Sequence, residues 1–219
     1  MPETEREVYV YALSSPGLPR RLSVLGRRLH CLAIGGIDAI VERSGIPGRS
    51  LEDIQLQHRI VSRLAARASA LLPARFGSVV TEGALKSLVN EREAEIQEAL
   101  RLVRNCEQMT LRVFGPAEPE GAADPPSGSG TAYLARRRER AHQRPPELEI
   151  ISRELGVLVK AARAEAGERG VRLVVYHLVA RRLVSRYRRR ASVLQTLLTP
   201  YGVTVTGPWP VFAFAPELF

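Results

Sequence analysis

Residues 203–216 read V-T-V-T-G-P-W-P-V-F-A-F-A-P, and the way they fold decides how the chain closes on itself. Val203 and Val205 alternate with Thr204 and Thr206, the period-two pattern of a strand with one buried face. Gly207, Pro208, Trp209 and Pro210 then interrupt it. Each proline removes a backbone donor and holds the residue before it extended. A full ladder on both sides is thereby excluded, which puts the strand at a sheet edge or a bulge. Val211, Phe212, Ala213 and Phe214 are expected to resume the extended pattern. The stretch holds the single Trp and two of the five Phe of an aromatic-poor chain, so it reads as docked. Two roles stay open for Trp209: packing the tail onto its own protein, or an exposed aromatic anchor for another.

Upstream of this tail, residues 109–114 read as a strand, with Met109, Leu111 and Val113 facing one way. Residues 115–130 are built of Pro, Gly, Ala, Ser and acids, too poor in apolar side chains to fold alone, and read as a flexible insertion. A basic helix is expected over residues 133–143. Leu148, Ile151, Leu155, Leu158, Ala162 and Ala166 then mark one amphipathic helix, residues 171–179 a strand, and Leu183, Tyr187, Ala191, Leu194 and Leu198 a last helix. This half therefore reads strand, helix, strand, helix, strand, close to a ferredoxin-like arrangement with an inserted loop.

The first half opens with a strand over residues 7–13. Residues 27–34 and 37–42 read as strands joined at Gly35-Gly36, a hairpin dipeptide, although Leu22, Leu25 and Leu29 also permit a short helix. Ser50 with Asp53 makes an approximate capping box for a helix running to Pro73, with Ile54, His58, Val61, Ala65, Ala68 and Leu72 on its buried face. A short strand is expected over residues 75–80. Thr81 caps one further helix whose inner face is Leu85, Leu88, Arg92, Ile96, Ala99 and Val103. The expected class is α+β in two α+β domains, residues 1–105 and 106–219. The second is modified ferredoxin-like and carries its variable loop at 115–130.

A chain of 219 residues, 45% hydrophobic and 25% charged, can bury a real core. Its net charge of +9 is almost wholly arginine, since Lys86 and Lys160 are the only lysines. Cys31 and Cys106 form neither a disulfide framework nor a zinc pattern, and are expected to be reduced and structural. The acidic opening residues do not form a secretory signal, and no run reaches membrane-span length, so a protein kept inside the cell is expected.

Catalytic chemistry has no visible carrier. The chain lacks the spacings of a phosphate loop, a dinucleotide fingerprint, a zincin helix or a nucleophile elbow. His30, His58, His142 and His177 are scattered, with no metal-ligand spacing. No catalytic residue, metal or cofactor is therefore expected. His58 on an apolar helix face reads as a buried histidine with a partner in the fold. Arg75 reads as an arginine that pairs with a carboxylate or caps carbonyls at the domain core. The arginines of residues 136–144 are the best nucleic-acid argument, but no aromatic-interleaved basic strand accompanies them and a solvated helix face is the simpler account.

Three stretches carry a resemblance. T-G-P-W-P-V-F-A-F at 206–214 resembles the ending of the gas vesicle protein GvpL/GvpF family, with Val211 in place of a second proline. Tyr9-Val10-Tyr11-Ala12-Leu13 is similar to that family's opening strand, and Leu72-Pro73-Ala74-Arg75-Phe76-Gly77-Ser78-Val79 to its internal segment. The resemblance implies two α+β domains and a non-enzymatic minor component or assembly factor of the gas vesicle. Its implied partners are the hydrophobic shell protein and other accessory proteins, with no specific nucleic acid and no membrane. The motif residues Arg75, Phe76, Gly77, Gly207, Pro208, Trp209, Pro210, Phe212 and Phe214 become candidates for partner contact. A basic nucleic-acid-binding regulator is the alternative from a different class.

Overall fold

A computed structural model of the chain describes residues 6–43, 48, 50–115 and 145–218. The insertion beyond Gly115, His142 and the arginines of residues 136–144 lie outside the described residues. Contacts divide the chain into two units: Met1–Gln108 together with Pro208–Phe219, and Met109–Gly207. The expected boundary after residue 105 left the whole tail with the second half. The structure instead groups Pro208–Phe219 with the first.

The first unit is built on β1 (Glu7–Ser14), β2 (Arg21–Val24), β3 (Arg27–Ile34), β4 (Ile37–Glu42), β5 (Leu71–Pro73) and β6 (Val79–Thr81). They form a six-stranded sheet ordered β2-β3-β4-β1-β5, in which β6 also pairs with β1. Gly35 and Gly36 both hold positive φ at the β3–β4 turn, a conformation open to glycine and strained for other residues. Leu22 and Leu29 pair across β2 and β3, so the strand reading of that stretch holds over the helical one. β1 is the axis of the sheet. Its Ala12–Ser14 end pairs with β5 and its Glu7–Tyr9 end with β6, while β4 runs along the other side.

Helix α1 (Leu51–Arg67) starts at a complete capping box, in which Ser50 and Asp53 each accept the other's backbone N–H. It buries Gln57, Ile60, Val61 and Leu64 against Tyr9, Tyr11, Leu29 and Ile40. The alternate residues Val8, Val10, Ala39 and Val41 are equally buried, so both faces of the central strands are covered. The expected buried stripe through Ile54, His58 and Ala65 is thus displaced around the helix. The helix also stops at Arg67, because Leu71–Pro73 is drawn into the sheet beside β1. The expected strand over 75–80 shrinks to β6. Beyond Thr81, one expected helix is two, α2 (Glu82–Glu91) and α3 (Glu93–Val103), broken at Arg92, which leaves helical φ/ψ. Together they bury Leu85, Val89, Ile96, Leu100 and Val103.

The second unit takes most of β7 (Cys106–Phe114), then α4 (Pro146–Leu155), β8 (Val159–Ala166), β9 (Val171–Ala180), α5 (Val184–Ala191), α6 (Leu194–Leu197) and most of β10 (Gly202–Trp209). Its sheet runs β10-β7-β9-β8, so counted within the unit the order is fourth, first, third, second, with one helical connection in each half. That is the ferredoxin-like pattern, and it needs one strand more than the sequence reading supplied. The missing strand is β8. Val159–Ala166 is rich in Ala, with Lys160, Arg163 and Glu165, all residues that suit a helix. Pairing with valine-rich β9, from Val159 opposite Val179 to Ala166 opposite Leu173, overrides that propensity. Leu158, Ala162 and Ala166 therefore do not continue α4. Met109, Leu111, Val113, Ile151, Leu155, Val175, Tyr187 and Leu194 meet in the core of this unit. β10 is an edge strand, as Pro208 within it and Pro210 just after it require.

Candidate interaction surface

After Trp209 the tail stops being a strand. Pro210 and Val211 are buried, and Phe212–Phe214 makes one turn of 3-10 helix, closed by Phe212 N donating to Pro210 O at 2.8 Å and Phe214 N to Val211 O at 3.0 Å. The expected extended run from Val211 to Phe214 is thereby corrected: Pro210 removes one donor, and local bonds satisfy the backbone in place of a ladder. The turn splits the aromatic residues by direction. Phe214 points inward and is buried, whereas Phe212 is 39% exposed.

Polar contacts pin the tail to the first unit. Ala213 N donates to Gln108 Oε1 at 2.8 Å, and Arg92 Nη1 donates to the Glu217 carbonyl at 2.6 Å. Arg75 forms an ion pair with the Glu217 carboxylate. Arg75 thus has a carboxylate partner, but not at the core where the sequence reading puts it: both side chains are exposed, so the pair adds little stability.

Trp209, 38% exposed, and Phe212 stand on either side of His58 on α1. The His58 ring is 5.5 Å from the Trp209 ring, edge-on at 66°, and 6.0 Å from Phe212, stacked at 15°. His58 does have partners in the fold, as expected, but it is only half-buried. Leu51, 69% exposed, and Ile54, 44% exposed, share its helix face at steps of three and four residues. A shallow hollow of about 380 Å³ is lined by Ile54, Gln55, His58 and Arg59. Four exposed apolar side chains with Gln55 and Arg59 beside them have the composition of a protein-contact patch, aromatic anchors with a polar margin.

The internal motif is held from beneath. Tyr9 Oη donates to Gln57 Oε1 and accepts from Gly77 N at 3.1 Å, while Gln57 Nε2 donates to Ala74 O at 3.3 Å. Burial raises the Tyr9 pKa above its ordinary value, which keeps the phenol protonated and donating. Gly77 holds φ +87°, and an added Cβ would meet no neighbour within 4 Å, so conformation and not space selects glycine there. Phe76 is half-buried and Gly77 exposed. The opening strand and the internal motif are thus adjacent in the sheet and tied by Tyr9, and Arg75 reaches the tail. Gly207 and Pro208 only lead into the patch; Gly207 also has positive φ, and its carbonyl accepts from Arg188.

Sequence reading put Ile54 on the buried face and did not single out Leu51. The available signal was that α1 carries two apolar stripes, Leu51-Ile54-His58 beside Ile60-Val61-Leu64, and one core consumes only one of them. Elsewhere, burial pushes the Cys31 thiol up to about 11, with Asp38 adding to the shift, so it is not a thiolate nucleophile. Among the described residues no helix is long and apolar enough to cross a membrane, and no three His, Cys, Asp or Glu side chains group to hold a metal ion.

A model of the gas vesicle synthesis protein GvpL/GvpF family matches residues 7–216. The fold is similar to the crystal structure of the gas vesicle protein GvpF from Anabaena sp. PCC7120, with a TM-score of 0.72 and 14% identity, covering 96% of this chain and 98% of that one. It is equally similar to gas vesicle protein GvpF from Microcystis aeruginosa, with a TM-score of 0.72 and 12% identity, covering 96% and 99%. A comparison with curated protein sequences gave no match.

Proposed function

Since the chain belongs to the gas vesicle synthesis protein GvpL/GvpF family, we propose that it is a non-enzymatic assembly factor or minor component of the gas vesicle. It binds the small hydrophobic shell protein, and acts alongside other accessory proteins in the cytoplasm and at the vesicle. The observation that carries this reading is the patch of Leu51, Ile54, Trp209 and Phe212 around His58. A wall subunit that is mostly apolar aggregates when its surface meets water. A charged protein that offers a few rigid apolar side chains can shield such a surface without collapsing onto it. Trp209 and Phe212 are suited to this, because the tail that bears them is fixed by the buried Val211 and Phe214, so little ordering is left to be done on binding.

The test is capture of the shell protein by Trp209→Ala and Phe212→Ala, singly and together, alongside thermal unfolding of the same samples. Both side chains are partly exposed, so melting should change by only a few degrees. Capture should weaken by about 2 kcal/mol or more for a central aromatic anchor. A folded double variant that captures the shell protein as well as the unaltered chain does would remove the patch from this role.

A further inference from the structure

The helical run after β9 turns Val184, Tyr187, Ala191, Leu194 and Leu198 into the core. Its outer side carries Arg182, Arg186, Arg189 and then Val193, at steps of four, three and four residues, which is one face of a helix. Arg182 sits in the 3-10 turn Arg181–Leu183 that leads into α5, and Ser192 and Val193 keep helical φ/ψ between α5 and α6. Neighbouring arginines are engaged, Arg188 at the Gly207 carbonyl and Arg190 at Glu154. Arg182, Arg186 and Arg189 pair with no carboxylate among the described residues, and Val193 beside them is 47% exposed.

The first unit carries acidic residues at the same sequence spacing, on either side of the break at Arg92. Glu91, Glu95 and Glu98 are exposed on α2 and α3, and half-buried Leu102 follows four residues on. Glu95 is held by Arg92 at 2.7 Å, whereas Glu91 and Glu98 have no cation partner among the described residues. We infer that a second copy of this chain docks through these stripes, with Arg182, Arg186, Arg189 and Val193 of one copy lying along Glu91, Glu95, Glu98 and Leu102 of the next. Charge sign, sequence spacing and the apolar position at the C-terminal end correspond when α3 of one copy runs beside α5 of the next in the same direction, with Glu91 at the end of α2 lying across the break at Arg92. Each copy has one stripe of each sign, so the contact is head-to-tail and propagates into a ring or an open chain. Exposed ion pairs are individually weak, so the association is weak and salt-sensitive. A nucleic acid fits the basic stripe less well: Tyr187 is the one aromatic in the run and is buried, which leaves no stacking platform. The inference is independent of the shell-protein reading.

Sedimentation of the full chain over a range of concentrations tests it. Growth with concentration is expected at low salt, with dispersal at about 1 M salt, where charges reach only about 3 Å. Arg186→Glu with Arg189→Glu lowers the formal net charge from +9 to +5 and so relaxes general repulsion between copies. It should nonetheless weaken association at least about tenfold, as a lost patch of paired charges does. Glu91→Arg with Glu98→Arg should do the same. Mixed in equal amounts, the two variants, one with two acidic stripes and the other with two basic ones, should recover growth by alternating, and all four changes in one chain should restore it as well. Should a reversed variant misfold by circular dichroism, Arg186→Gln with Arg189→Gln takes its place. A chain that sediments as a monomer at every concentration in low salt overturns the inference. So does a reversed variant that associates as well as or better than the unaltered chain. Duplex binding by a monomeric chain, lost in the arginine variants, overturns it and gives the stripe to nucleic acid.

Discussion

His177 shows how one buried residue ties stability to pH. Its Nδ1 lies 2.8 Å from Tyr187 Oη inside the second unit, and burial lowers its pKa to about 4. The unfolded chain, with a value of about 6.5, takes up the proton first as pH falls. The contribution of this group is complete above about pH 6.5, is lost as pH drops through the window, and the loss levels off below about pH 4. The total is about 3 kcal/mol. Denaturant unfolding at pH 7 and pH 4.5 should show the loss, and His177→Gln should flatten it; an unchanged slope would place the proton elsewhere. Tyr9 is the counterpart in the first unit. Tyr9→Phe keeps the ring, which packs edge-on against Tyr11 at 5.0 Å, but leaves Gly77 N and Gln57 Oε1 without their partner. A loss of about 1–3 kcal/mol is expected in denaturant melts, against almost none for Arg75→Ala at the exposed pair with Glu217.

Among the elements, the tail is the one whose place matters most for function. The sequence reading places it in the second domain, residues 106–219. Its Val211 and Phe214 are buried in the first unit, and each such side chain contributes about 1.5–3 kcal/mol. Removing residues 210–219 should therefore destabilise the first unit and release Trp209 from its place beside His58. Trp209 is the sole tryptophan, so its fluorescence reports tail docking directly. An emission maximum and melting curve unchanged by the truncation would mean that the tail is not held there. Helix α1 belongs to the same element-scale account, because its second apolar stripe is what the tail aromatics meet.

At the scale of the whole molecule, the core of the second unit is drawn entirely from residues between Met109 and Val203. Residues 109–207 made alone should fold with a cooperative melt. Residues 1–108 alone lack Val211 and Phe214 and should be soluble and cooperative only when residues 208–219 are supplied as a peptide or fused. A fragment 1–108 as stable without them as with them would contradict the division into units. The net charge of +9 carries a separate expectation, that any nucleic-acid binding is weak and falls steeply as salt rises.

The sequence alone determined what short-range physics controls. Gly35-Gly36 turned the β3–β4 hairpin because few other residues take its dihedrals, Ser50 and Asp53 started α1, Thr81 started α2, and the prolines at 208 and 210 confined β10 to an edge. The α+β class and the role of Met109, Leu111 and Val113 were legible because alternation and helical spacing are local signals. What pairing decides was not legible. Val159–Ala166 has the composition of a helix and became a strand only because β9 lay beside it. The sequence named Trp209 and Phe212 as candidates. Which side of α1 is buried, and that those two aromatics stand exposed beside His58 and Ile54, depended on side chains about 150 residues apart in the chain meeting in space.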